Sequence, residues 1–203
     1  MTTYSIPSNV RIRTNRWGLK GNTQIFESPL TGATQRLELA GARWVATYTL
    51  TPYLQSETKL DEIKAFLLNL RGGGNTFYGY DPDRRTPKGA ATGTPLINGA
   101  YQSGGQINTD GWTGSVTGIL KTGDYIQIGN ELKMVTADAN SDSGGNAVVY
   151  FQPILRDMPA DNAVITVTNP VCIMRLIDDD QAGWDSDANK VTEITFSGVE
   201  TWT

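Results

Sequence analysis

The chain has no histidine. That removes the commonest general base, the usual catalytic triad and the usual zinc ligand. Cysteine is nearly absent too. The single Cys172 lies inside an apolar run, so no internal disulfide and no cysteine metal cluster are expected, and the residue reads as a buried, inert thiol. Positive charge is not in excess: 17 Lys and Arg face 21 Asp and Glu, for a formal charge of -4. A general nucleic-acid binder wants a basic face, which this balance argues against. It does not exclude DNA passing nearby without being held. No apolar run approaches the length of a membrane span, so no membrane insertion is expected. MTTYSIPSNV lacks the charged start and apolar core of a signal peptide, which implies a chain made and folded in a cytoplasm.

Helical signal is also scarce and is confined to one stretch. Leu60, Ile63, Leu67 and Leu70 recur at helical spacing, with Phe66 widening the stripe, and predict a helix over about 57–71. Thr58 or Ser56 reads as its N-cap. Arg71 suits the negative end of its dipole, and Gly72, Gly73 and Gly74 stop it. The stripe is a candidate for helix packing against a sheet or for an oligomer interface.

What is present in quantity is glycine, 22 of 203 residues, with many Thr, Asn and Asp. That composition favours a turn-rich β architecture. Val10 to Trp17, Gln24 to Glu27 and Gln35 to Leu39 read as strands, with Leu37 and Leu39 on one face and a Ser28-Pro29, Thr31-Gly32 turn between the last two. Arg43 to Leu50 is the clearest strand: Trp44, Ala46, Tyr48 and Leu50 face one way, Val45, Thr47 and Thr49 the other. Thr76 to Tyr80 follows the helix. From Asp81 to Gln106 periodicity fades, and the stretch reads as a connection. Its Arg84, Arg85 and Lys88 look like a solvated basic cluster.

A second, all-β module follows. GDYIQIG and LKMVT flank Gly129-Asn130 as a hairpin, and Val148 to Gln152 and Val164 to Val167 add short strands. Short strands with regular turns suggest a small barrel of the OB or split-barrel kind. Val171 to Ile177, Val191 to Phe196 and Val199 to Trp202 are expected to return to the first module. The fold class is therefore mainly β: a β-sandwich with one helix, from residues 1–89 and 169–203, carrying an inserted small barrel, residues 90–168.

The search for chemistry returns little. Asp178, Asp179, Asp180, Asp185 and Asp187 could pair as hydrolytic carboxylates, but a solvated hairpin loop explains them more simply. Asp138, Asn140 and Asp142 have calcium-loop spacing, yet the glycine comes late at Gly144 and Val149 stands where an acidic ligand is needed. Gly72-Gly73-Gly74 ends a helix rather than opening one, so it is no phosphate loop. If exposed, Trp112, Tyr101 and Trp184 could stack on sugar rings, but core or interface packing is the favoured reading of each. No cofactor and no metal are expected, and no catalytic constellation emerges.

Four stretches carry a resemblance: FLLNLRGGGNTFYGYDP; INTDGWTG; LKTGDYIQIGNELKMVT with the following glycine turn, VVYFQPILR and MPA; and the ending VCIMRLIDDDQAGWDSDANKVTEITFSGVETW. Together they resemble the distal tail proteins of long-tailed bacteriophages. The resemblance implies a tail-tube-like β-sandwich with a helix, assembled as a ring of six copies at the tail tip. Such a ring joins the tail tube protein to the tail hub, tape-measure and receptor-binding proteins, and DNA passes through its lumen without specific binding. It implies a virion protein assembled in a bacterial cytoplasm, with no enzymatic activity. Acidic character suits a channel that repels DNA. The competing expectation is a carbohydrate-binding module of a host-recognition protein, with Trp112 and Trp184 as glycan contacts.

Overall fold

The computed structural model describes residues 1–39, 41–181 and 183–202. Strands β1 (Thr3–Ser5), β2 (Ile12–Lys20), β3 (Thr23–Glu27), β4 (Thr34–Glu38), β5 (Arg43–Leu50) and β6 (Tyr53–Leu54) precede the helix α1 (Thr58–Asn69), and β7 (Thr76–Gly79) follows it. Next come β8 (Gly93–Ile97), β9 (Gln106–Trp112), β10 (Tyr125–Ile128), β11 (Glu131–Val135), β12 (Ala147–Gln152) and β13 (Ile165–Thr166). The chain returns through β14 (Cys172–Leu176), β15 (Asp185–Ser186), β16 (Val191–Glu193) and β17 (Thr195–Glu200).

The main sheet has six strands in the order β1-β7-β14-β17-β5-β2. Period-two alternation decides which face of it is buried. Trp44, Ala46, Tyr48 and Leu50 of β5 point inward with Phe77, Met174 and Phe196. The helix stripe closes this core. Leu60, Ile63, Leu67 and Leu70 are all buried, and the Phe66 ring meets Phe77 and Phe196 edge-on at 6.0 and 6.1 Å. An isolated helix of this length is marginal in water, so packing has to hold it. Each buried Leu or Ile contributes roughly 1.5–3 kcal/mol relative to exposure. These four side chains have no free surface left to offer a second subunit.

The helix ends differ from the sequence expectation. The N-cap is Glu57, not Thr58 or Ser56, and its side chain caps nothing. Its carboxylate instead accepts from the Leu54 N–H at 2.9 Å and from Arg11 Nη2 at 2.8 Å. Arg71 does not sit in the last turn against the dipole; it takes a left-handed φ of 50° just outside. Gly72 follows with φ 61°, and a Cβ there would stand 2.6 Å from Asp179 Oδ1. Close approach of the acidic loop demands glycine at that point, beyond the usual helix stop.

Strands between residues 93 and 166 pair only with one another among the described residues, in the order β13-β10-β11-β12-β9-β8. A bridge between Leu96 and Val164, with Ile97 N–H donating to Ala163 O at 2.9 Å, brings β8 back towards β13 and nearly closes a barrel. Ile97, Ile107, Ile126, Val149 and Phe151 fill it. The stretch read as a connection after Asp81 thus contributes a barrel strand, β8. Pro95 and the shifted register between Gly93 and Leu96 hide the alternation there.

The last strands rejoin the main sheet. β17 is hydrogen-bonded between β14 and β5, with Gly198 opposite Ala46 and Leu176. Of continuation and a fresh strand, the two expectations for Val199 onward, continuation holds: residues 195–200 form one strand, but the break falls at Ile194, and β16 pairs with β6 instead. The molecule is mainly β: a sandwich-like, helix-braced module carrying a nearly closed barrel.

Candidate assembly surface

The hairpin β3–β4 stands apart from both cores. It forms its own two-stranded sheet. It prolongs the β2–β5 ribbon, where Lys20 pairs with Arg43, through Leu39 N–H donating to Asn22 O at 2.7 Å. Ser28 at its turn accepts from Gly32 N–H and donates its own N–H to Ala33 O. Every residue of the two strands is exposed. Ile25 is 63% exposed, Phe26 62%, Leu37 52% and Leu30, at the tip, 94%.

The register sorts this arm into two faces. Thr23, Ile25 and Glu27 share a face with Glu38, Arg36 and Thr34, whereas Gln24 and Phe26 share the other with Leu37 and Gln35. One face is charged around a single isoleucine; the other is uncharged. A lone hairpin in water is marginal, and alternation of this kind normally specifies a strand lying on a core. Here no core lies beneath it among the described residues. The sequence pattern at Gln35 to Leu39 was legible as a strand, but its exposure was not.

The outward face of the main sheet lies at the base of the arm. Two adjoining depressions of about 390 and 410 Å³ share Lys20 and Val45. Val45, Val199 and Ile177 make an apolar floor, and Arg16, Lys20, Arg43 and Arg175 rim it. No carboxylate lines either depression. None of these four cations forms an ion pair among the described residues. Arg43 stacks over Trp202 at 4.2 Å, and Arg175 Nη1 donates to the Leu176 and Ile177 carbonyls. Arg16 and Lys20 point into solvent.

The two modules are locked by buried charge. Lys133 Nζ pairs with Glu131; Arg156 Nη2 donates to Glu200 Oε1 at 2.9 Å, and Glu200 Oε2 accepts the Trp44 N–H at 3.0 Å. Burial alone would raise the Glu131 carboxyl, but the Lys133 ammonium and the Asp157 and Arg156 N–H groups outweigh it and hold it below the usual range. Burial pushes the Lys133 ammonium down. Asp124, wholly buried, accepts from Arg84 Nη1 and from the Lys88, Gly89 and Lys121 N–H groups. Arg84 is therefore not part of a solvated cluster, and Arg85 lies 3.8 Å over the Tyr80 ring. Sequence reasoning missed these partners because they are distant in the chain.

The other sequence candidates scatter. Trp112 takes the core reading and not the sugar contact: it is only 5% exposed and donates its indole N–H to Thr109 Oγ1 at 2.7 Å. It is a core residue of the barrel, so it offers no face to a sugar. Trp184 is partly exposed and carries Lys64 Nζ 4.8 Å over its ring; Tyr101 is exposed. In the acidic loop, Asp179 accepts the Gly73 N–H and Asp187 the Asn189 and Val191 N–H groups, so two of the five carboxylates serve turns. Asp138 pairs with Lys121 and Thr122, Asn140 accepts from Gly118, and Asp142 from Gly144 and Asn146. Those three do not converge, and no acidic or cysteine group suited to a metal forms among the described residues. Cys172 is fully buried, which raises its thiol well above the ordinary value.

No protein-family model matches the chain, and no curated protein matches it.

Proposed function

We propose that this chain is a structural subunit of a long-tailed phage tail tip. In this reading copies assemble into a ring, with six copies as the expected number. The ring joins the tail tube protein to the tail hub and tape-measure proteins and encloses the path of the DNA. The observation that carries the reading is the β3–β4 arm: a two-faced hairpin whose apolar residues Ile25, Phe26, Leu30 and Leu37 lie exposed, with nothing among the described residues covering them. Such surface calls for another molecule. The sequence resemblance supplies the tail-tip context. The carbohydrate-binding alternative loses one of its two tryptophans, since Trp112 belongs to the barrel core.

The arm also suits ring geometry. Seated on a different surface of the next copy, it makes a heterologous contact, which closes into a ring when the rotation allows. The test is replacement of residues 22–39 by a short Asn-Gly turn joining β2 to β5. The hairpin contributes to neither core, so the shortened chain should keep its fold by circular dichroism. The full chain should sediment as a closed oligomer and the shortened one as a monomer. A full chain that stays monomeric at high concentration, in electron micrographs and in the centrifuge, sinks the proposal.

A further inference from the structure

We infer that the charged face of one copy's arm lies in the cation-rimmed groove of the next copy. This inference rests on the self-assembly reading above and names the surface that receives the arm. The register gathers Ile25, Glu27 and Glu38 on one face, with Arg36 as its only cation. Neither glutamate forms an ion pair within the described residues. The groove offers the complement: an apolar floor for Ile25 and unpaired Arg16 and Lys20 for the glutamates.

Size agrees with charge. The groove crosses β2, β5, β17 and β14, four adjacent strands. At about 4.8 Å per strand its width is about 14 Å, which admits a ribbon whose two strands lie about 4.8 Å apart. The arm cannot fill its own groove, because it prolongs the strands that form that groove's edge and so projects beyond it. A second copy is therefore the occupant. Opposite charges at such a contact steer encounter and fix its register.

Sedimentation of the full chain and of three charge variants tests this. Glu27→Lys with Glu38→Lys, and Arg16→Glu with Lys20→Glu, should each weaken self-association about tenfold. Combining all four changes should restore it to within about threefold of the parent, and added salt should weaken the parent alone more than either reversed form. If the reversed variants associate like the parent while the arm-deleted chain stays monomeric, self-assembly stands and the groove is the wrong acceptor. If the four-fold variant shows no recovery, the pairing is equally overturned. Fluorescently labelled duplex DNA is the control ligand. Salt-sensitive DNA binding lost on Arg16→Glu with Lys20→Glu, with assembly unchanged, would assign the groove to nucleic acid and overturn the inference.

Discussion

Trp44 donates its indole N–H to the Leu132 carbonyl at 2.8 Å, across the seam between the main sheet and the barrel. The same ring meets Tyr125 edge-on at 5.6 Å. One side chain thus anchors the barrel hairpin to the strand that the sequence marked most clearly. Trp44→Phe keeps most of the packing and removes the donor, leaving the Leu132 carbonyl without it. The expected loss is about 1–3 kcal/mol, read as a lower midpoint in urea with little change in slope.

The pH response follows from the buried charges. Glu131 is depressed below its ordinary 4.5, and the Lys121 hydrogen bond, with those from Thr122, takes Asp138 from 3.8 to about 2. A depressed carboxylate adds stability above its unfolded pKa and loses it as pH falls through the folded one. Stability should therefore decline below about pH 4.5 and go on falling towards pH 2. Lys133 is depressed by burial, so its charge costs stability at neutral pH, and that cost is relieved on the alkaline side. With no histidine, stability should be flat from about pH 6 to 8. Glu131→Gln should flatten the acid limb in denaturant titrations. It should also cost about 3–5 kcal/mol at pH 7 by leaving the Lys133 charge unpaired.

Two glycines in the main sheet are needed for space. A Cβ at Gly198 would stand 2.5 Å from Phe77 Cζ, and one at Gly79 would collide with Met174 Sδ. Gly198→Ala should destabilise by about 1–3 kcal/mol through overpacking. A thermal melt checks this: for a chain of this size each kcal/mol moves Tm by about 2–4 °C.

The two tryptophans once grouped as sugar contacts should separate cleanly. Trp112→Ala empties part of the barrel core and should cost about 3–5 kcal/mol. Trp184→Ala, on a partly exposed loop, should stay within about 1 kcal/mol of the parent. Equal effects of the two changes in a denaturant melt would contradict this assignment.

The sequence made the buried faces readable where one period persisted. β5, the α1 stripe and the β10–β11 hairpin follow directly from alternation, from helical spacing and from Gly129-Asn130. It did not reveal β1, which is three residues long and holds its place only by pairing with β7. Nor did it reveal that β3 and β4 have the alternation of a half-buried strand and yet lie bare. Alternation tells which residues share a side, not whether anything covers that side. Trp112 shows the same limit: the sequence left core packing and a sugar contact both open, and only the nearly closed barrel, with Gly93 of β8 opposite it, decides for the core. The Lys133–Glu131–Arg156–Glu200 group draws on β11, the loop after β12 and β17, so no local pattern announces it.

The position of β17 has a temporal consequence. β17, made after β1 to β16, occupies an interior place between β14 and β5, whereas among the described residues every strand partner of the barrel strands lies within residues 93–166. On a ribosome, the barrel has all its own strands long before residue 195 emerges. The larger sheet must meanwhile wait with a gap down its middle, and β5 exposes an unmatched edge until residues 195–200 have emerged. Domains fold as units once their residues are available, so the insert matures first and its Leu132 carbonyl is already in place when Trp44 settles.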